Sequence, residues 1–321
     1  MMTDYALVAD IGGTNARFAL AERNENAISV KDVRSFRAED FKTIRDAADA
    51  YLEAVGVKPV IACFAVAGPV TYASVEFTNS PWVLEIEETE KALGLKHLAV
   101  MNDFEALASS VQYLRGDDLV LVKAGPGDSD APKLVIGPGT GLGQALIVPC
   151  EERDRIIATE GGHVSFAPRT DKEFEVMKFI AREHPHVSVE RLLSGSGLVN
   201  IYRALCAIRE IPRASLQANE ITAAAIDGSH PIAAEAVNMF CAVLGRVAGD
   251  AVLSTGARGG VFLGGGILPK IKDIFLKSDF ADCFHDKGRM RDYLEDVPVQ
   301  LIVRDGAALL GAASGLVSED L

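Results

Sequence analysis

Basic charge is scarce in this chain of 321 residues: 32 lysines and arginines stand against 45 aspartates and glutamates, a net charge of -13. A nucleic-acid surface needs basic patches that displace phosphate counterions, so that class of partner is excluded. A small anionic ligand is not excluded, because backbone amides bind phosphate without lysine. The five cysteines (Cys63, Cys150, Cys206, Cys241, Cys283) are scattered and form no CxxC pair. They read as reduced thiols, indicating neither a zinc cluster nor a disulfide frame. No uninterrupted apolar run reaches the ~18 residues of a membrane helix; "PVIACFAVAGPV" is broken by Gly68 and Pro69. The opening MMTDYALVAD carries an acid and no basic segment, so no signal peptide is expected. No low-complexity stretch or Pro/Ser-rich linker occurs either. The expectation is a soluble cytoplasmic protein with no membrane and no nucleic-acid partner.

What is present is apolar: 49% of the residues are hydrophobic, ample for two domains. Tyr5 to Asp10, Ala16 to Ala21 and Ile28 to Phe36 have strand character. Phe41, Ile44, Ala48, Tyr51, Leu52 and Val55 then recur at helical spacing and stop at Gly56. "VIACFAVAG" and "HLAVMND" read as buried strands, and Phe104 to Leu114 as a helix. Strands alternating with helices indicate an α/β layered fold. The middle repeats the opening: "KLVIGPGTGLGQALIVP", Lys133 to Pro149, runs strand, glycine-threonine turn, strand, as "ALVADIGGTNARFAL" does. The match suggests two related lobes. Helices follow over Lys172 to Glu183, Gly197 to Arg209 and Pro231 to about Leu253, then the strands "GGVFLGGGI" and "PVQLIVR", and an amphipathic tail Gly306 to Val317. The chain is expected to cross between domains near Asp103 to Leu114.

Two familiar nucleotide motifs fail. No lysine follows a glycine, which removes a Walker A loop, and the glycine turns return into strands where a Rossmann fingerprint would open a helix. Two ordinary hairpins with glycines at positive φ would account for the turns, with Asp10 as a capping residue. A pair of phosphate-binding turns accounts for them as well, each offering bare amides and a threonine hydroxyl. That second reading also explains Asp10. A carboxylate beside a triphosphate is repulsive unless a divalent cation lies between, so it points to Mg²⁺ held through water.

The segments "DIGGTNARFAL", "NDFEA", "GPGTGLG", "EGGHVSFAP" and "SVERLLSGSGL" resemble the bacterial glucokinases of the hexokinase–actin–Hsp70 ATPase superfamily, in the family's order and over nearly the whole chain. The resemblance implies a two-lobed actin-like ATPase (ribonuclease H-like) α/β fold with a cleft between the lobes. It implies a small domain over 1–110 completed by a C-terminal helix over 304–321, and a large domain over 111–303. It further implies a homodimer and ATP-dependent phosphorylation of glucose to glucose 6-phosphate. The nucleotide would be bound by Asp10, Gly12, Gly13, Thr14 and Asn15, by Gly139, Thr140 and Gly141, and by a third turn at Gly264, Gly265 and Gly266 near the adenosine. On the sugar side it implies Asp103 as general base, with Asn102, Glu160, His163 and Glu190 on glucose hydroxyls.

Each sugar-side residue also has a plainer reading. Asp103 before Phe104 fits a helix N-cap. Glu160 and His163 stand three apart like a metal pair on a helix, but Gly161-Gly162 disfavour a helix there and no cysteine cluster lies nearby, so a solvent loop is the alternative. "SVERLL" reads equally as a capping turn built on Ser188. The zinc-binding cysteine motif that follows the histidine in related repressor-open reading frame-kinase proteins is missing. A kinase of another hexose or amino sugar on the same scaffold is the alternative function. An actin-like ATP switch is a third, but it has no use for Asp103 beside Asn102.

Overall fold

The computed structural model describes residues 5–24, 27–68, 74–77, 82–212 and 214–316. The chain divides into two units, Met1–Gly116 with Arg304–Leu321, and Asp117–Val303.

In the first unit β1 (Ala6–Ile11), β2 (Asn15–Asn24), β3 (Ala27–Arg37) and β4 (Ile61–Val66) precede a small ribbon of β5 (Ser74–Glu76) and β6 (Val83–Glu85), and β7 (His97–Asn102) follows. The sheet order is β3-β2-β1-β4-β7, with β1, β4 and β7 parallel and β1-β2-β3 antiparallel. Side chains alternate across it. Leu7, Ala9 and Ile11 join Phe18, Phe64 and Tyr51 in one core. Tyr51 belongs to α1 (Ile44–Val55), which opens on a Thr43–Asp46 capping box and stops at Gly56 with φ 68°. α2 (Ile86–Ala92) lies between β6 and β7 in the chain.

The opposite face carries Ala6, Val8, Ala19, Cys63 and Ala65. These small residues admit α3 (Asp103–Ser110) and the C-terminal helix (Ala307–Gly315) at close range. The Cα of Gly311 lies against the Ala106 carbonyl, with no room for a Cβ. This corrects the amphipathic reading of the tail. Ala307, Leu309, Leu310, Gly311, Ala312, Ala313 and Ser314 are all buried, because the helix packs on α3 and the sheet together. Val317, its expected end, lies outside the described residues.

The second unit holds β8 (Leu119–Lys123), β9 (Lys133–Pro138), β10 (Leu142–Val148), β11 (Arg155–Thr159), β12 (Gly260–Leu263) and β13 (Val299–Ile302) in the order β11-β10-β9-β12-β13-β8. Its first five positions repeat the other sheet: antiparallel, antiparallel, then two parallel neighbours. The repeat read from the two glycine turns is therefore a repeat of topology. The helices are α4 (Asp171–Ala181), α5 (Gly195–Ile208), α6 (Ala218–Ile226), α7 (Pro231–Thr255), α8 (Lys272–Phe275), α9 (Phe280–His285) and α10 (Arg291–Glu295). By length and composition α7 could cross a membrane: an 18-residue window has mean hydropathy 1.5, although no uninterrupted apolar run that long occurs. Some 72% of that window is buried inside the protein, which makes α7 the core helix of this unit.

Gly311 gives a test with an inverted sign. On an open helix Gly→Ala gains about 1 kcal/mol. Here the added methyl meets backbone, so Gly311→Ala is expected to lose about 1–3 kcal/mol in urea unfolding. A gain would show that the C-terminal helix does not pack on Ala106.

Candidate active site

Parallel pairing in the first unit puts Ile11 beside Val66 and Val66 beside Asn102. The carboxyl ends of β1, β4 and β7 thus share one sheet edge, where open α/β sheets receive ligands. With strands about 4.8 Å apart, the Asp10 turn and the Asn102–Asp103 pair end about 10 Å from each other.

The first turn closes through the Gly12 amide, which donates to the Asn15 carbonyl at 2.9 Å, and Asn15 Nδ2 donates to Thr14 Oγ1 at 3.2 Å. Thr14 and Asn15 are exposed; Gly12 and Gly13 are half-buried. Asp10 continues the Ala6–Val8 face inward. Its carboxyl lies deep among protein atoms although part of the residue stays accessible. Burial raises its pKa above the ordinary 3.8; Arg17, its cross-strand neighbour, pulls the other way, and the Asp305 carboxylate adds to the rise. Arg17 spends a guanidinium nitrogen on Asp305 at 2.6 Å. Among the described residues no hydrogen bond reaches the Asp10 carboxylate.

Asn102 overturns the N-cap reading of Asp103. The cap of α3 is Asn102, whose Oδ1 accepts from the Phe104 amide at 2.9 Å and the Glu105 amide at 3.2 Å, while Nδ2 donates to the Gly68 carbonyl at 3.3 Å. Asp103 is the first helical residue, and its Oδ1 also accepts from the Phe104 amide at 2.9 Å. Burial raises the neighbouring Glu105 carboxyl, offset in part by a backbone hydrogen bond from the Asn102 side.

The second unit gathers its candidates at the matching edge. The Gly139 amide donates to the Gly141 carbonyl at 2.7 Å, and Gly195, first residue of α5, donates its amide to the Gly139 carbonyl at 2.9 Å. Thr140 is exposed. The third turn abuts the second: Gly137 lies against the Gly264 backbone and Gly265, with φ +81°, against the Pro138 carbonyl. Only Gly265 in this set needs a left-handed backbone. Gly12, Gly139, Gly141 and Gly266 do not, which corrects the positive-φ account of the hairpin glycines. Gly141 is instead small because the Glu190 carboxylate sits over it, accepting from the Leu142 amide at 2.9 Å. Ser188 makes no side-chain cap bond, so the capping account of "SVERLL" fails.

Gly161–His163 forms a short 3-10 turn with Glu160 and His163 both solvent-exposed, as the loop reading also expects. Its glycines are needed for contact: a Cβ on Gly161 would strike the buried Gln144 carboxamide, and one on Gly162 the Leu142 carbonyl. Glu160 Oε2 and His163 Nε2 stand 3.8 Å apart, 70% and 61% exposed, too far for a direct hydrogen bond and open to a third group. The Val189 amide donates to the Val164 carbonyl at 2.9 Å, which keeps His163 and Glu190, the next residues along, close together. Both line a cavity of about 290 Å³ with His184, His186, Ser188 and Arg191.

The glucokinase family model matches residues 7–319. A glucokinase of Marinobacter nauticus is 43% identical over 318 residues, 99% of this chain and 98% of its own. The chain belongs to the glucokinase family. A crystal structure of glucokinase from an Antarctic psychrotroph shares the fold, with TM-score 0.85 and 40% identity over 98% of this chain and 99% of that one. A ROK family glucokinase from Streptomyces griseus, in complex with glucose and AMPPNP, superposes with TM-score 0.66 at 20% identity, covering 97% and 98%. At that identity the likeness extends to the fold alone. Family membership fits the motifs; the motifs did not point to Arg17, Gln144 or His186, which lie beside the candidate residues on neighbouring strands and loops. For Arg17 the signal available was its place facing Asp10 across the first hairpin; Gln144 faces Ile136 and Thr159, and no local pattern marks it.

Asp10 yields a pH test. Its folded pKa is raised, so its favourable contribution is complete below about 3.8 and is lost as pH rises through the folded value. Asp10→Asn should therefore raise the melting temperature of the ligand-free protein at pH 7, by a margin that narrows on acidification. A lower melting temperature at pH 7 would contradict the burial argument.

Proposed function

We propose that the chain transfers the γ-phosphoryl group of ATP to the 6-hydroxyl of glucose, and that the residues gathered at the two sheet edges carry the reaction. Family membership supports glucose over another hexose or an amino sugar. The observation that carries the assignment is the shared edge of the first unit, where a turn suited to phosphate and a carboxylate suited to an alcohol end two strands apart.

Gly12, Gly13, Thr14 and Asn15, with Gly139, Thr140 and Gly141, form the two phosphate turns: the Gly12 and Gly139 amides close them, the remaining amides and the threonine hydroxyls serve the phosphates, and the α5 N-terminus beside Gly139 adds a favourable dipole. Gly265 and Gly266 leave room for the adenosine. Asp10 fits a Mg²⁺ ion held through water, because a deep carboxylate lacking a donor is the group a cation would relieve. When bound, Mg²⁺ neutralises phosphate oxygens during transfer. Asn102 has its oxygen committed to the α3 cap and one amide hydrogen on the Gly68 carbonyl, and keeps the other for a sugar oxygen. Glu160, His163 and Glu190 accept from and donate to the remaining hydroxyls; the contact with Leu142 leaves Glu190 further lone pairs for this. Asp103 orients the 6-hydroxyl and takes its proton. The reading includes a cytoplasmic homodimer, which a monomer mass by light scattering would contradict.

ADP release should be fastest with glucose in a panel of glucose, mannose, fructose, galactose and N-acetylglucosamine. Asp103→Asn should then lower kcat by about 10²–10³-fold, since proton removal is late in a loose transfer. Its melting temperature should stay near that of the parent, because Asn102 supplies the cap. Unchanged kcat would remove Asp103 from the mechanism and turn attention to Glu160.

A further inference from the structure

The proposed chemistry gives His186 no part, yet its Nε2 lies 3.0 Å from the backbone carbonyl of His163. A carbonyl only accepts, so the ring donates. The Nε2–H tautomer and the imidazolium both can, and the bond survives either state. The His163 amide is already bound to the Glu160 carbonyl at 3.0 Å. The peptide groups on both sides of His163 are therefore held, which fixes the direction in which its imidazole leaves the turn.

The anchor behind His186 is firm. Val187, Ser188 and Val189 are buried, Ser165 and Ser188 form an antiparallel bridge, and the Phe166 amide donates to the Val187 carbonyl at 2.9 Å. His186 itself is exposed and contributes little to the core. We infer that His186 is a positioning residue, holding the Glu160–His163 turn so that His163 presents its ring to the sugar. The inference rests on the reading of His163 as a sugar ligand.

Steady-state kinetics on four variants test it. His186→Ala should raise KM for glucose about 3- to 10-fold, the range of one hydrogen bond, with kcat and KM for ATP little changed. His186→Gln places an amide N–H near the position of Nε2 and should recover most of the loss. His163→Ala should itself raise KM for glucose, and adding His186→Ala to it should cost little more, because the second residue acts through the first. An unchanged KM in His186→Ala, a Gln variant as impaired as Ala, or penalties that multiply in the double variant would overturn the inference while leaving His163 as a ligand. A wild-type KM in His163→Ala would instead remove the sugar role of His163, and the inference with it.

Discussion

Parallel strands in register impose a condition on this protein that its loops then exploit. Because β1, β4 and β7 pair at matched positions, every segment leaving their carboxyl ends starts from one edge, and the same holds for β9 and β12. Amides at such an edge run out of ladder partners, so those that the turns and the α3 cap do not use are available to a ligand. Short side chains are what keep them available. The Gly-Thr turns sit at this edge in both units, and the Asn102–Asp103 pair starts α3 from it.

The electrostatics follow from the composition. A chain with net charge -13 that handles a polyanion cannot rely on its overall field. On the proposed function it uses local dipoles: turn amides, a helix N-terminus and a cation recruited by Asp10. The same carboxylate is costly without that cation, since burial already works against its charge. Arg17 relieves only part of the cost, because it also serves Asp305.

Much of this was legible in the sequence where the signal is local. The apolar runs of β1, β4, β7 and β9 and the helical spacing ending at Gly56 are near-neighbour patterns, and they match the structure to within three residues. What was not legible depends on distance in the chain. Whether Asn102 or Asp103 caps α3 turns on a side-chain geometry that both residues allow. Glu190 meets Leu142 across 48 residues, and no spacing rule announces it. The tail reads as amphipathic only if one face is taken as solvent, whereas α3 covers that face. Strands such as β8 and β11, and the four- to six-residue helices α8, α9 and α10, are too short to build a period.

The two sheets share a topology but not a chemistry, and the difference sits at a single cross-strand position. In the first turn Asp10 faces Arg17; when Thr14 is aligned with Thr140, the equivalent of Asp10 is Ile136, which faces Gln144. On the proposed function one nucleotide brings one Mg²⁺, and such an ion takes one or two protein carboxylates. A second aspartate at position 136 would add another buried charge with no cation to offset it. Ile136 is instead fully buried in the core, and Gln144 turns its carboxamide to the glycine of the Glu160–His163 turn. The duplicated hairpin is thus used once to hold charge and once to shape the loop behind it, which is how a repeated scaffold comes to hold different groups at equivalent places.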